Sequence, residues 1–246
     1  MLLDLYGVAG EKQREALASL ARQGQRKNWW ADHGNLLPAG AADYYDLEAS
    51  AASIRAYTAG AVHGLLQTAD YAAAACRASV PGLSAEHAAS LAAIQHRRQE
   101  LMLGVGRELR LVLDESALRR VIGSAGTMFR QLSHLAEAAA SDHVTIQVIP
   151  LGGAHAVLSP ELTLLSFGSE ASTAAAWTSG IHGQVTVTTR VRDVHRAAGT
   201  FAALTRAALP PQASACLIRH LAETVPDTPA DPRPVGSAAA RTGESS

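Results

Sequence analysis

Cysteine is scarce in this 246-residue chain, and so is net charge. The two cysteines, Cys76 and Cys216, sit in Ala-rich, helix-like surroundings and exclude a disulfide scaffold. They read as buried, reduced thiols. Twenty-one basic and 22 acidic side chains leave a formal charge of −1, which argues against a general nucleic-acid binder. No apolar run reaches the roughly 18–20 residues that span a bilayer. Met1–Gly10 lacks a basic region followed by an apolar core, so a signal peptide is not expected and a cytoplasmic location is. Lys12 and Lys27 are the only lysines; arginine does the rest of the basic work.

Familiar catalytic signatures are missing as well. There is no GxSxG elbow, no Walker loop and no GxGxxG after a strand. Ten histidines invite a metal reading, but no pair has the i, i+4 spacing of a helical zinc site, and neither cysteine has a near partner. Neither a metal nor a cofactor is expected.

What is present is a 48% hydrophobic chain with a mean hydropathy of +0.04, enough for a sizeable core. Met1–Gly7 reads as the end of a helix, and Glu11–Gln23 as another. A helix end with no cap before it suggests that a longer form carries something ahead of it, or that a domain has been lost. Asp43–Ala52 reads as a short acidic helix and Ser53–Thr58 as a strand, with Ile54 and Ala56 on one face and Arg55 and Tyr57 on the other. Helices are expected over Tyr71–Ala78 and, after the Ser84 cap, over Ala85–Leu103. The pattern then alternates: a strand at Glu108–Leu113, a helix at Thr127–Ala140 and a strand at Val144–Ile149. Glu161–Phe167, Ala174–Thr178 and Gln184–Thr188 suggest an antiparallel meander, followed by helices at Val191–Ala208 and Ala213–Glu223. The expected fold is α/β (α+β): a mixed sheet flanked by helices over 41–223, with a helical extension at 1–40 and a disordered, Pro-rich tail at 224–246.

Five polar residues fall where sites form. Arg55 and Tyr57 share a strand face, and Gln67 follows a Gly-Leu-Leu turn. Glu115 stands at the C-terminal end of the leucine-rich strand, and His155 on the loop after another strand. If those strand ends lie on one side of a single sheet, the five line one pocket for a polar small molecule. Arg55 would pair an anionic group, and His155 or Glu115 would move a proton. The plainer alternative is a structural polar network or solvated loop ends.

A resemblance adds to this. Leu2–Val8 (LLDLYGV), Trp29-Trp30, Leu47–Tyr57, Gly64–Tyr71 (GLLQTADY), Arg97–Leu101 (RRQEL), Leu113–Arg119 (LDESALR), Gln131–Leu135, Val144–Pro150 and Gly153–Ala156 occur in a familiar order. Over about residues 1–223 they resemble the C-terminal domain of actinobacterial XRE-type helix-turn-helix regulators, the antitoxin-like transcriptional regulators. In that family a DNA-binding half precedes the LLDLYGV segment; here only its last helix would remain. His63 replaces the family's proline before the Gly-Leu-Leu-Gln-Thr run, and Trp177-Thr178-Ser179 lacks an acid found on the family's late strand. The resemblance implies an effector domain that binds a small-molecule ligand or a small partner protein, with no direct DNA binding of its own and homodimerisation left open. Two other readings compete. One is a repurposed enzyme, an acid/base cyclase or isomerase of specialised metabolism; the other is a sequence that continues upstream.

Overall fold

The computed structural model describes residues 37–80, 82–104, 106–152, 161–168, 173–179 and 184–225. The expected helices before residue 37, the tail beyond residue 225 and His155 lie outside the described residues.

The described chain is an α/β fold of seven α-helices around a six-stranded mixed sheet. In chain order these are α1 (Ala41–Ser50), β1 (Ser53–Thr58), a 3-10 turn (Gly64–Leu66), α2 (Ala69–Ser79) and α3 (Ala85–Met102). Next come β2 (Glu108–Asp114), α4 (Glu115–Arg119), α5 (Ala125–Ala138) and β3 (Val144–Ile149). The meander β4 (Leu162–Ser166), β5 (Thr173–Ser179) and β6 (Gln184–Thr188) follows, and α6 (Val191–Ala207) and α7 (Pro211–Glu223) close the domain.

The strand order is β3-β2-β1-β4-β5-β6. β1, β2 and β3 are parallel, and β4 to β6 continue the sheet antiparallel. Parallel neighbours need long crossovers, and here helices supply them. Ile54, Ala56, Leu109, Leu111, Leu113, Ile146 and Val148 form the larger core with residues from the 3-10 turn, α2, α4, α5 and α7. The reverse face has a thinner cover, in which Tyr57, Val112, Ile149, Leu162 and Leu164 pack against Ala197, Phe201 and Leu204 of α6. The leucine face of β2 is therefore buried as expected; Val112 on its other face is buried too, because α6 covers it.

Local chemistry sets the helix starts. Ser84 Oγ accepts the His87 N–H, Asp114 accepts from Ser116 and Ser124 from Thr127, each an N-terminal cap. Both cysteines are free thiols, but neither is fully buried: Cys76 is half-buried on α2, and Cys216 is exposed on α7, with Arg219 donating towards its sulfur. No helix among the described residues is long and apolar enough to cross a membrane.

Candidate functional site

The main candidate site is a cavity of about 210 Å³ on the larger-core side of the sheet. Thr58 at the end of β1, Glu161 just before β4 and Thr163 within it form its sheet side. Tyr44 and Tyr45 of α1, Gln95 and Arg98 of α3, and His63, Gly64 and Gln67 of the intervening loop wall the rest.

Two charged side chains lie on otherwise apolar helix stripes. On α1 the buried positions are Ala41, Tyr44 and Glu48; on α3 they include Ile94, Arg98 and Met102. Burying either charge alone would be costly, so each needs the other. Arg98 donates from Nε to Glu48 Oε1 and from Nη2 to Glu48 Oε2, both at 2.7 Å, and from Nη1 to Gln95 Oε1. Tyr44 Oη donates to Glu48 Oε2 at 2.7 Å. The guanidinium also lies over the Tyr45 ring, 4.3 Å from its centroid. Burial works to raise the Glu48 carboxyl, but the Arg98 charge and hydrogen bonds prevail and hold it below the usual carboxylate range. Burial likewise opposes the Arg98 charge, yet Glu48 holds it on, with a raised pKa.

The loop from Val62 to Thr68 is pinned by three helices. Tyr71 Oη of α2 accepts the Val62 N–H. Gln99 of α3 donates to the carbonyls of Gly64 and Gln67. Gln131 of α5, fully buried, donates to Leu66 O and accepts the Thr68 N–H. The approach is close at Gly64: a Cβ there would stand 2.8 Å from the Gln95 amide and 2.9 Å from Arg98 Nη1, so those side-chain ends would have to shift.

Three groups at the cavity have capacity to spare. His63 Nδ1 accepts the Leu65 N–H at 3.3 Å, so the neutral ring carries its proton on Nε2, a donor with no partner among the described residues. Burial, and then the nearby Arg98 charge, push the His63 pKa from 6.5 to about 4, so the ring is neutral near pH 7. Thr58 is 2% exposed, and its hydroxyl has no hydrogen-bond partner among the described residues. Burial raises the Glu161 carboxyl above its ordinary value, and this side chain has no hydrogen bond or ion pair among the described residues.

Of the five residues singled out in the sequence, only Gln67 lines this cavity. Its amide donates to Val62 O at 2.8 Å. Arg55 and Tyr57 face the other side of the sheet: Tyr57 is buried beneath α6, and the Arg55 guanidinium lies 6.0 Å from the Phe201 ring centroid. Glu115 is buried at the start of α4, where it accepts from Arg119 Nε and from the Leu151 N–H. Arg55, Tyr57 and Glu115 therefore do not join Gln67 in one pocket. Strand alternation separates the first two from it, and backbone and Arg119 contacts occupy the third. Glu48, Thr58, Arg98 and Glu161 were not anticipated. The signal for Glu48 and Arg98 was an ionised residue on each of two apolar stripes at helical spacing. Among the described residues no group of three or more His, Cys, Asp or Glu side chains could hold a metal ion.

No curated protein and no solved structure shows significant similarity to the chain. One family model matches residues 41–220, from the first residue of α1 into α7, and so takes in the sheet, its helices and the cavity. The chain belongs to that family, described as a domain of unknown function (DUF5753).

Proposed function

We propose that this domain is a ligand-binding effector module that takes a small polar molecule into the cavity between β1, α1 and α3. The observation that carries the reading is the buried Thr58 hydroxyl, without a partner among the described residues, in the wall of a cavity that also holds the His63 donor. A buried hydroxyl without a partner costs about 1–3 kcal/mol, and a bound molecule that hydrogen-bonds it recovers part of that cost. The resemblance to the C-terminal half of XRE-type, antitoxin-like regulators supports the same role: occupancy would be sensed here and passed on to a DNA-binding or partner protein. The loop pinned by α2, α3 and α5 offers a route, since a ligand that moves residues 62–68 pulls on three helices at once. The near-neutral charge and two free thiols fit a reduced cytoplasmic setting, without direct DNA binding by these residues.

Native mass spectrometry tests the reading. After incubation with a low-molecular-weight extract of host cells, the chain should carry an equimolar small-molecule adduct. Ala61→Leu, which narrows the cavity, should abolish the adduct with little change in Tm. A wild-type chain without an adduct, or an adduct that survives Ala61→Leu, overturns the proposal.

A further inference from the structure

The cavity has a charge preference. Its titratable lining groups are Tyr44, Tyr45, His63, Arg98 and Glu161. The Arg98 charge is cancelled by the bidentate contact with Glu48 behind it, and two of its nitrogens are taken by that carboxylate. Its third nitrogen donates to Gln95, so Arg98 already serves a carboxylate and an amide. His63 holds its acceptor nitrogen against Leu65 N–H and presents only a neutral N–H. Both tyrosines keep their protons, since burial pushes their hydroxyls upward. Among the described residues one charge then remains uncompensated, the Glu161 carboxylate just before β4.

Resting on the effector reading, we propose that the ligand is a small organic cation, an amine or amidine, whose positive group pairs with Glu161 and whose hydroxyl or carbonyl meets the donors of Thr58 and His63. Three observations converge on this. A carboxylate in a partly buried wall, with no ion-pair partner among the described residues, is costly until a cation reaches it. The cationic side chain of the lining, Arg98, has its charge paired with Glu48. The spare groups beside Glu161 are hydrogen-bonding and neutral, which suits the uncharged end of such a molecule. The carboxyl now sits above its ordinary pKa through burial, and a bound ammonium would bring it back down.

Saturation-transfer NMR on the full chain distinguishes the charge classes. The probes are matched sets on one skeleton: 4-aminobutan-1-ol, butane-1,4-diol and 4-hydroxybutyrate, with the corresponding three- and five-carbon sets. The amines should receive saturation and the carboxylates should not. Glu161→Gln should weaken the amines by about tenfold or more, the loss expected for a charge-assisted hydrogen bond, with no loss of Tm. Ala61→Leu should remove the signal for all bound probes and so places them in the cavity. If diols or carboxylates bind at least as well as amines, or Glu161→Gln leaves amine binding intact, the cationic class is wrong while the effector reading stands. If no probe of any class binds, the cavity is not a ligand site and both fall.

Discussion

Arg98 and Glu48 lie 50 residues apart in the chain and meet through two parallel 2.7 Å hydrogen bonds. Their side chains are 7% and 2% exposed, so water does little to screen or replace either partner. Removing one leaves the other as a buried, uncompensated charge, which costs about 3–5 kcal/mol. Glu48→Leu and Arg98→Met should each lower the unfolding free energy from urea titration by that amount. The double variant Glu48→Leu, Arg98→Met should recover much of the loss, because it leaves no orphaned charge. A double-mutant cycle with no coupling between the two positions would show that the pair is not a unit.

The same carboxylate makes the domain acid-sensitive. Glu48 ionises more readily folded than unfolded, because Arg98 outweighs the burial that opposes it. Its stabilisation is therefore complete above its ordinary pKa of 4.5 and is lost as pH falls through the lower, folded value. Denaturant unfolding between pH 5 and the acid limit should show a loss that Glu48→Gln, already destabilised, no longer shows from this position.

His63 acts over an adjoining window and loses stability in the same direction. Its folded pKa of about 4 lies below the ordinary 6.5, so between those values the unfolded chain takes up the proton first. Stability should fall on acidification across this window, by at most about 1.4 kcal/mol per pH unit from this residue. His63→Asn keeps an acceptor for the Leu65 N–H without a titrating ring, and should flatten the slope of unfolding free energy between pH 6.5 and 4.

Much of the framework was legible because period and punctuation agree there. β1, β3 and β6 have the bounds expected from alternation, and the Ser84 cap sets the start of α3. The leucine face of β2 is equally plain, and Leu111→Ala, at a position 1% exposed, should cost about 2–5 kcal/mol by denaturant titration. The site was less legible because it depends on which sheet face the connections cross. The β1-to-β2 link, with the 3-10 turn and α2, packs on the Ile54–Ala56 face, so the loop carrying Gln67 arrives beside Thr58 and away from Arg55. Alternation places side chains on two faces but does not say which face receives a loop. The handedness of parallel crossovers decides that, once strand order is known.

Gln131 holds the site loop from behind. Its Oε1 accepts the Thr68 N–H at 2.8 Å, and its Nε2 donates to Leu66 O at 2.7 Å. Leucine there would leave two backbone groups without partners, at about 1–3 kcal/mol each. Gln131→Leu should also speed amide exchange at Thr68 relative to the α5 core. A stable variant with unchanged exchange at Thr68 would show that α5 does not restrain the loop.

Glu115 provides the contrasting case, a buried carboxylate whose partners are already in place. Oε1 accepts from Arg119 Nε at 2.6 Å and Oε2 from the Leu151 N–H at 2.8 Å, which ties the start of α4 to the segment after β3. Arg119 is 51% exposed, so the ion pair itself contributes little, and the backbone contact matters more. Glu115→Ala should destabilise the domain by about 1–3 kcal/mol, the cost of leaving the Leu151 N–H unpaired. Amine binding in the cavity should persist in that variant at temperatures below its lowered Tm. Glu161→Gln should show the reverse pattern, with Tm held and amine binding lost. Calorimetry of both variants, paired with saturation transfer, separates a carboxylate that holds the fold from one that holds a ligand. Loss of binding in Glu115→Ala without loss of stability would move the site towards the ends of β2 and β3.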